Sequence, residues 1–325
     1  MKTQHIVNVS GGKDSGACLE LALMRGIKFR SVMADTDNEA RVTRDHVAAL
    51  SERLIAHGQT PVELVKSDFS GRLKTKREHI QKNWSRAGVP QDRIDRALEI
   101  LRPSGNVFLD LCLWKGRFPS RRSQFCTEFL KQDAIFRGVL EPALRRTPVV
   151  QWLGVRRDES PARARAPMFR KTRINGMYPL ISFSPIIHWS GENAVNFAQN
   201  RGAPVNPLYY QGFTRVGCFP CINASKNEIA RIGIHHPEEI AIRAEWEDLV
   251  ADASKRGAAT FFAAKTTPRG AALAKSDEAA ASTDYPRIPE VVDWARTARG
   301  GKRRDPERDA ELESTLCSSA YGLCE

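Results

Sequence analysis

Six consecutive residues near the start of the chain carry the groups needed to hold a phosphate: Ser10-Gly11-Gly12-Lys13-Asp14-Ser15. The run before them, His5-Ile6-Val7-Asn8-Val9, is apolar and β-branched, and a helical pattern follows at once. A strand, a glycine turn and a helix in that order present backbone N–H groups and a helix N-terminus to phosphate oxygens. The two glycines let the backbone approach an anion closely, Lys13 adds a mobile positive charge, and the hydroxyls of Ser10 and Ser15 can donate. The string is shorter than the G-x-x-x-x-G-K-[ST] loop of Walker-type nucleotide sites. A ligand-free glycine turn is the plain alternative, but the full string at the first strand–helix junction favours phosphate binding.

A second chemical signal is Cys218-Phe219-Pro220-Cys221, a C-x-x-C pair in a glycine- and proline-containing turn. This spacing lets two thiolates chelate one metal or cluster while turn N–H groups point at the sulfurs. The pair lies in a loop and opens no clear helix, which weakens a thioredoxin-like redox role. Further ligands must come from elsewhere, and Cys126, Cys317 and Cys324 are the candidates. Cys126 stands at the start of a predicted helix, where the dipole stabilises a thiolate. Cys18 and Cys112 fall within apolar patterns and are expected in the core, and His235-His236 offers a secondary route to a Cys/His zinc site. C-x-x-C spacing alone does not separate zinc from iron–sulfur.

The elements that must position these groups follow from periodicity. Helices are expected over Ala17–Met24, closed by Gly26, over Ala40–His57, closed by Gly58, and over about Thr127–Leu144. Strands are expected at Phe29–Ala34, Val62–Lys66 and Pro148–Val155. This alternation predicts an α/β fold: a doubly wound, mostly parallel sheet with a cysteine-rich, mainly helical C-terminal part. Ligands of such sheets sit beyond the carboxyl ends of the strands. The glycine loop, Asp35-Thr36-Asp37-Asn38-Glu39 and Gly154-Val155-Arg156-Arg157-Asp158-Glu159-Ser160 all follow strands, so one crevice can gather them.

The expected organisation is an α/β domain over 1–178 with an inserted basic helical segment at about 69–125, and a C-x-x-C subdomain over 179–250. A mobile linker, a helix at Ile288–Arg296 and a cysteine-containing tail follow within 251–325. Short elements joined by Pro, Gly and Asn are expected from Pro179 to Val250, with Ser190 capping Glu192–Asn200. The 325 residues are 41% hydrophobic and 27% charged, which is a globular composition. No signal peptide or membrane span is expected, which points to the cytoplasm and to seven cysteines free of disulfides. The net charge is +12, with basic clusters at Arg72–Arg86, Lys115–Arg122, Arg156–Arg173 and Arg296–Arg308. A single phosphate ligand needs few of these charges, so the balance favours a nucleic-acid partner.

The six-residue loop resembles the SGGKDS loop of the PP-loop ATP pyrophosphatases, and the resemblance widens along the chain. Gln124-Phe125-Cys126-Thr127-Glu128-Phe129-Leu130-Lys131 is similar to the CT-x-x-LK segment of the PAPS reductase-like superfamily. Gly154-Val155-Arg156-Arg157-Asp158-Glu159-Ser160 with Arg163 resembles its G-[IV]-R-x-x-E-S-x-x-R motif. Asn206-Pro207-Leu208-Tyr209 with Gly217–Cys221 resembles its cysteine turn, and the terminal Tyr321-Gly322-Leu323-Cys324-Glu325 resembles bacterial and phage members.

Within that superfamily the chain is similar to the sulfur-transfer proteins of DNA phosphorothioation. The resemblance implies an ATP pyrophosphatase that adenylates an acceptor and passes sulfur to it. ATP with Mg²⁺ would sit on Ser10–Ser15, with Asp35 and Glu39 as nucleotide or Mg²⁺ contacts. Lys13, Arg156, Arg157 and Arg163 would stabilise charge on the phosphates. A [4Fe–4S] cluster on Cys126, Cys218, Cys221 and either Cys317 or Cys324 would carry sulfur, with zinc as the runner-up. The implied partners are a nucleic acid, DNA ahead of tRNA, and an external sulfur donor such as a cysteine desulfurase. Two other readings stand beside it. A sulfonucleotide reductase would attack activated sulfate with Cys324, although such reductases typically lack the loop lysine that stands here at position 13. The other is a non-catalytic nucleic-acid-binding protein with structural zinc.

Overall fold

The computed structural model describes residues 3–262 and 286–297. Cys317, Cys324, the linker beyond residue 262 and the basic run beyond residue 297 lie outside the described residues. The described residues form two compact units, one of 3–66 with 131–219, the other of 67–130 with 220–262 and 286–297.

The first unit is built on a strand whose two faces are both apolar. In Gln4–Asn8 (β1), Ile6 and Val7 are fully buried on opposite sides. A strand covered on both faces reads as a continuous hydrophobic run, as a parallel sheet requires. Phe29–Ala34 (β2) and Val149–Trp152 (β4) flank β1 in parallel, with registers His5↔Phe29 and Gln4↔Val149. Glu63–Val65 (β3) extends the sheet parallel to β2, and Leu180–Phe183 (β6) extends it parallel to β4. Phe169–Thr172 (β5) closes the edge antiparallel to β6, giving the order β3-β2-β1-β4-β6-β5. The chain thus turns one way from β1 through β2 to β3 and then crosses to β4. That reversal puts the topological switch point beside β1, at the end of the glycine loop.

Three helices cover one face: Lys13–Met24 (α1), Arg41–Ala56 (α2) and, after β6, Gly191–Asn200 (α7). Leu19, Leu50, Leu54, Trp152 and Ala194 form their shared core. A long helix covers the other face; it runs through Thr127–Gln132, Asp133–Ile135, Phe136–Leu140 and Glu141–Leu144 (α6), and two of these segments have the wider π-type turn. Its Val139, Leu140 and Leu144 pack on Ile6, Val32 and Val149.

The second unit holds Ser70–Asn83 (α3), Gln91–Ile100 (α4) and Val107–Lys115 (α5), then Lys226–His235 (α8), Pro237–Asp252 (α9) and Ile288–Ala295 (α10). Its core centres on Phe108, which stacks on Trp246 and meets Phe261. Glu247 is buried there and accepts from the amides of Phe261 and Ile288 and from Arg287. Lys76 donates to Leu113 O at 2.6 Å and Ala253 O at 2.8 Å, satisfying carbonyls at the C-terminal ends of α5 and α9; burial lowers its pKa to about 8.

The alternating pattern and the mostly parallel sheet are as the sequence predicts, and Ser190 caps α7 through the Asn193 amide. Several details differ. Helix α1 begins at Lys13, ahead of the expected Ala17, and the Gly16 amide already makes a helical hydrogen bond back to Gly12 O at 3.0 Å. The stretch from Pro179 to Val250 contains β6, α8 and most of the 16-residue α9 besides the expected α7, where only short elements are expected. Its signals are local: Ser225 and Glu228 form a capping box for α8, and Pro237 opens α9. Strand β5 escapes periodicity because all four residues are exposed, and its Arg170 and Lys171 suit a sheet edge. No described helix is long and apolar enough to cross a membrane.

His46 is buried in α2, and burial lowers its pKa to about 4. The unfolded chain therefore takes up a proton near pH 6.5 that the folded chain refuses until about pH 4. Stability from this group is complete above pH 6.5 and falls with pH through that window, by up to about 3 kcal/mol. Urea unfolding measured from pH 7 to pH 4 should fall less steeply for His46→Gln than for the wild type; parallel curves would remove His46 from the acid response.

Candidate active site

The loop after β1 leaves its backbone donors open. Among the described residues, the amides of Gly11, Gly12, Asp14 and Ser15 have no hydrogen-bond acceptor. Orphan amides are expected where a helix starts, and these four lie in the glycine turn and the first turn of α1. The loop holds this shape through its own side chains. Ser15 Oγ accepts from Ser10 N at 3.1 Å and donates to Gly12 O at 2.9 Å. Ser15 therefore closes the loop from within, a role different from the expected phosphate donor.

Residues far along the chain complete it. Tyr209 Oη accepts from the Lys13 amide at 3.0 Å, and the Lys13 ammonium lies over the Tyr209 ring, 5.5 Å from its centre. Asn206 is buried and donates Nδ2 to Gly11 O at 3.0 Å and to Thr43 Oγ1 at 3.1 Å. Gly11 has φ +71, and a Cβ there would stand 2.6 Å from Thr43 Cγ2, so glycine is required.

Beyond β4 the chain returns to the same loop. A Cβ on Gly154 would lie 2.8 Å from the Asp14 carbonyl carbon and 2.9 Å from Ser15 N, so backbone touches backbone here. Arg156, with 6% of its side chain exposed, donates Nε to Asp14 Oδ1 at 2.7 Å and also pairs with Asp158. Lys13 Nζ stands 3.5 Å from the other Asp14 oxygen. Arg163 pairs with Glu159; burial lowers its pKa, and nearby Arg215 and Arg156 lower it further. Of the expected cations, Lys13, Arg156 and Arg163 thus share one electrostatic field around Asp14. Arg157 donates its Nε to Ala166 O and serves the connection to β5.

The turn after β2 is the third wall. Lys66 Nζ lies 3.1 Å from Asp35 and 2.6 Å from Asp37, and Arg44 reaches both carboxylates. Asp37 takes φ 56, supported by its amide donating to Asp35 Oδ1. The Glu39 carboxyl turns inward onto Thr36, accepting from its hydroxyl at 2.6 Å and its amide at 3.2 Å. Burial raises the pKa of Glu39, opposed by the Thr36 hydrogen bonds and Lys131. Its side chain closes its own turn. The same turn receives the cysteine loop: Glu39 bridges to Cys218, the Phe219 amide donates to Asn38 O at 2.5 Å, and Cys218 Sγ lies 4.0 Å from Thr36 Oγ1. Cys218 is therefore seated at the carboxyl end of β2, within the first unit.

Cys126 and Cys221 belong to the second unit, and both are half-buried. Cys221 Sγ accepts from the Asn223 amide at 3.4 Å, the kind of turn donor a ligating sulfur uses. Among the described residues, no group of three or more His, Cys, Asp or Glu is gathered to hold a metal. Cys18 and Cys112 are core residues, as expected, and burial raises both thiols.

Sequence reasoning did not assign Tyr209, Asn206, Arg44 or Lys66 to the site. Asn206 and Tyr209 stand in the Asn-Pro-Leu-Tyr string, which was their only signal. Arg44 and Lys66 had none, since basic residues on a helix and after a strand are ordinary.

Residues 4–224 match the model of the phosphoadenosine phosphosulfate reductase domain. Over 99% of its length the chain is 43% identical to the uncharacterized 37.8 kDa protein in the gpa 5′ region of Escherichia phage 186, covering 97% of that protein. It is 40% identical over 68 residues to the adenosine 5′-phosphosulfate reductase of Mycolicibacterium smegmatis, a match spanning 28% of that enzyme's length. The phosphoadenylyl-sulfate reductase of Candida auris, solved as a phosphate complex, aligns with a TM-score of 0.41 at 14% identity, covering 68% of this chain and 84% of that one.

The Gly154 contact is the most sensitive point of the loop. Gly154→Ala should lower stability by about 1–3 kcal/mol through overpacking, because the displaced atoms belong to Asp14 and Ser15. Gly71→Ala, which meets nothing within 4 Å, is the control. Thermal melts check both, and an unchanged melting temperature in Gly154→Ala would show that the loop does not depend on this contact.

Proposed function

The chain belongs to the phosphoadenosine phosphosulfate reductase domain family, which its residues 4–224 match, and within that enzyme family we propose that it is an ATP pyrophosphatase that adenylates an acceptor for sulfur transfer. The observation that carries this reading is Lys13, held on the Tyr209 ring and beside Asp14 at the mouth of a loop with four open amides. A loop that only seats an already activated nucleotide has no need of a cation at the leaving group. One that breaks the α–β bond of ATP does.

In this mechanism the amides of Gly11, Gly12, Asp14 and Ser15 receive the β- and γ-phosphates, with Mg²⁺ accompanying the nucleotide. An acceptor oxygen, on a nucleic-acid phosphate or base, attacks the α-phosphorus. The new P–O bond forms as the α–β bridging bond breaks, and pyrophosphate leaves with the electron pair. Lys13 and Arg163 balance the charge that grows on it, while Arg156 holds Asp14 and the loop in place. The acceptor oxygen now carries AMP, a good leaving group. Sulfide displaces it, breaking the acceptor–oxygen bond; where the sulfur arrives as a persulfide of an external donor such as a cysteine desulfurase, the acceptor–S–S–donor disulfide formed as AMP leaves is cleaved by a second thiol, which forms a disulfide with the donor sulfur. The net charge of +12 supports a nucleic-acid acceptor, DNA ahead of tRNA.

The thiols of Cys126, Cys218 and Cys221, with Cys317 or Cys324, are the proposed ligands of a [4Fe–4S] centre, with zinc as the competing metal. The Asn223 amide on Cys221 supports a ligating sulfur, whereas the described residues do not assemble a three-ligand group. Each step of the adenylation therefore runs through the loop and its cations alone.

The family match and the similarity to an adenosine 5′-phosphosulfate reductase favour a second reading, in which an adenylyl sulfate occupies the loop and the Cys324 thiolate attacks its sulfur. Product analysis separates the two. Anaerobically purified protein should convert ATP to AMP and pyrophosphate, faster with DNA or tRNA present, and Lys13→Ala should reduce the rate about 10²–10³-fold. Sulfite released from adenylyl sulfate without ATP cleavage, and lost in Cys324→Ser, would establish the second reading instead. Iron and acid-labile sulfide should co-purify with the wild type and be lost in Cys218→Ser; stoichiometric zinc in their place would assign a structural metal.

A further inference from the structure

Outside the nucleotide site, the second unit collects cations on a set of aromatic rings. Trp114 at the end of α5 and Phe129 in the first turns of α6 meet edge to face, with centres 5.2 Å apart. Arg72, in the first turn of α3, lays its guanidinium over both, 4.3 Å from the Trp114 centre and 4.6 Å from that of Phe129. Lys115 Nζ stands 3.9 Å from Trp114, 4.5 Å from Phe129 and 5.7 Å from Phe125. Arg117 covers Phe125 at 5.0 Å. One cation on a ring is ordinary; three sharing three adjoining rings is not.

The charge on this cluster is uncompensated. Among the described residues, Arg72, Lys115 and Arg117 form no ion pair, and neither Arg72 nor Lys115 donates a hydrogen bond. Arg117 donates to Ser123 Oγ at 3.0 Å, and Glu128 acts on Lys115 only at longer range. Burial lowers the Lys115 pKa, and Arg72 and Arg117 lower it further, so the three charges repel one another. Cation–π contacts of about 0.5–1 kcal/mol each offset part of that repulsion. The Arg72 donors still lack acceptors among the described residues while the side chain is half-buried.

We propose that Arg72, Lys115 and Arg117, held on Trp114, Phe125 and Phe129, form a docking platform that grips a nucleic-acid strand through its phosphates. Guanidinium planes stacked on rings offer phosphate donors at their edges and a flat surface for an unpaired base, a combination used for single strands. Arg121 and Arg122, exposed in the turn that carries Ser123, extend the positive surface. Aliphatic or carboxylate-rich partners would leave either the charge or the rings unused. The inference rests on the nucleic-acid acceptor of the proposed function and assigns that partner its own contact residues.

The test is fluorescence anisotropy of labelled single-stranded and duplex DNA with the full chain, over a range of salt. The triple variant Arg72→Gln/Lys115→Gln/Arg117→Gln should bind single strands about 30-fold or more weakly, and the slope of log K against log salt should fall by about 2. Arg72→Lys/Arg117→Lys, which keeps the charge but removes the guanidinium planes, should keep the wild-type salt slope yet bind single strands more weakly, and melting curves verify that each variant is folded. Arg145→Gln/Arg146→Gln, on exposed residues at the end of α6, controls for net charge. A folded triple variant that binds as well as the wild type overturns the platform and leaves the acceptor reading intact. Wild-type protein that binds no nucleic acid at low salt overturns both. Equal competition by polyglutamate or inorganic phosphate would reduce the cluster to an unspecific anion site and overturn it too.

Discussion

The buried pair between Arg156 and Asp14 is the interaction on which the first unit's chemistry depends. Asp14 lies in the first turn of α1, and Arg156 lies just past β4, so the pair ties together the two chain segments that leave adjacent strands. The Arg156 side chain is only 6% exposed, and Asp14 is one of the two carboxylates, with Asp158, that balance its charge. Breaking a buried pair by removing one partner costs about 3–5 kcal/mol, because the remaining charge stays desolvated. The backbone contact at Gly154 has the same consequence by steric means. Together they leave the loop one position relative to the sheet, and its open amides one direction in which to receive an anion.

Given that position, the remaining polar groups sort themselves by what the loop leaves unmet. Ser15 and Asn206 satisfy the carbonyls of Gly12 and Gly11, and Tyr209 satisfies the amide of Lys13. The amides that no described side chain reaches are those of Gly11, Gly12, Asp14 and Ser15, a row of the kind that receives phosphate at a helix start. At the neighbouring turn the carboxylates of Asp35 and Asp37 are matched by Lys66 and Arg44, so the walls of the crevice are of mixed sign.

The second unit solves a different problem. Its core is aromatic, around Phe108, Trp246 and Phe261, and its polar cost is met by single residues placed between chain segments. Glu247 accepts from two backbone amides and an arginine, and Lys76 closes two helix ends. Against this tidy accounting, the Arg72 guanidinium and the Lys115 ammonium stand out as donors that the described residues do not use.

The strand–turn–helix geometry of the loop and the α/β alternation were legible in the sequence because both are local. Glycine spacing, β-branched runs and cap residues act over a few positions, so Ser10–Ser15 could be read as a turn between strand and helix, and β1, β2 and β4 as strands. Tertiary structure alone decided how the side chains divide the work. It turned Ser15 and Glu39 inward to close their own turns, brought Tyr209 and Asn206 from some two hundred residues away, and set Cys218 against the β2 turn. It also made β5 a strand without any apolar pattern, through pairing with β6. The reason is common to all of these: a polar group's role depends on which partner lies within hydrogen-bond reach, and that is settled by how distant segments pack.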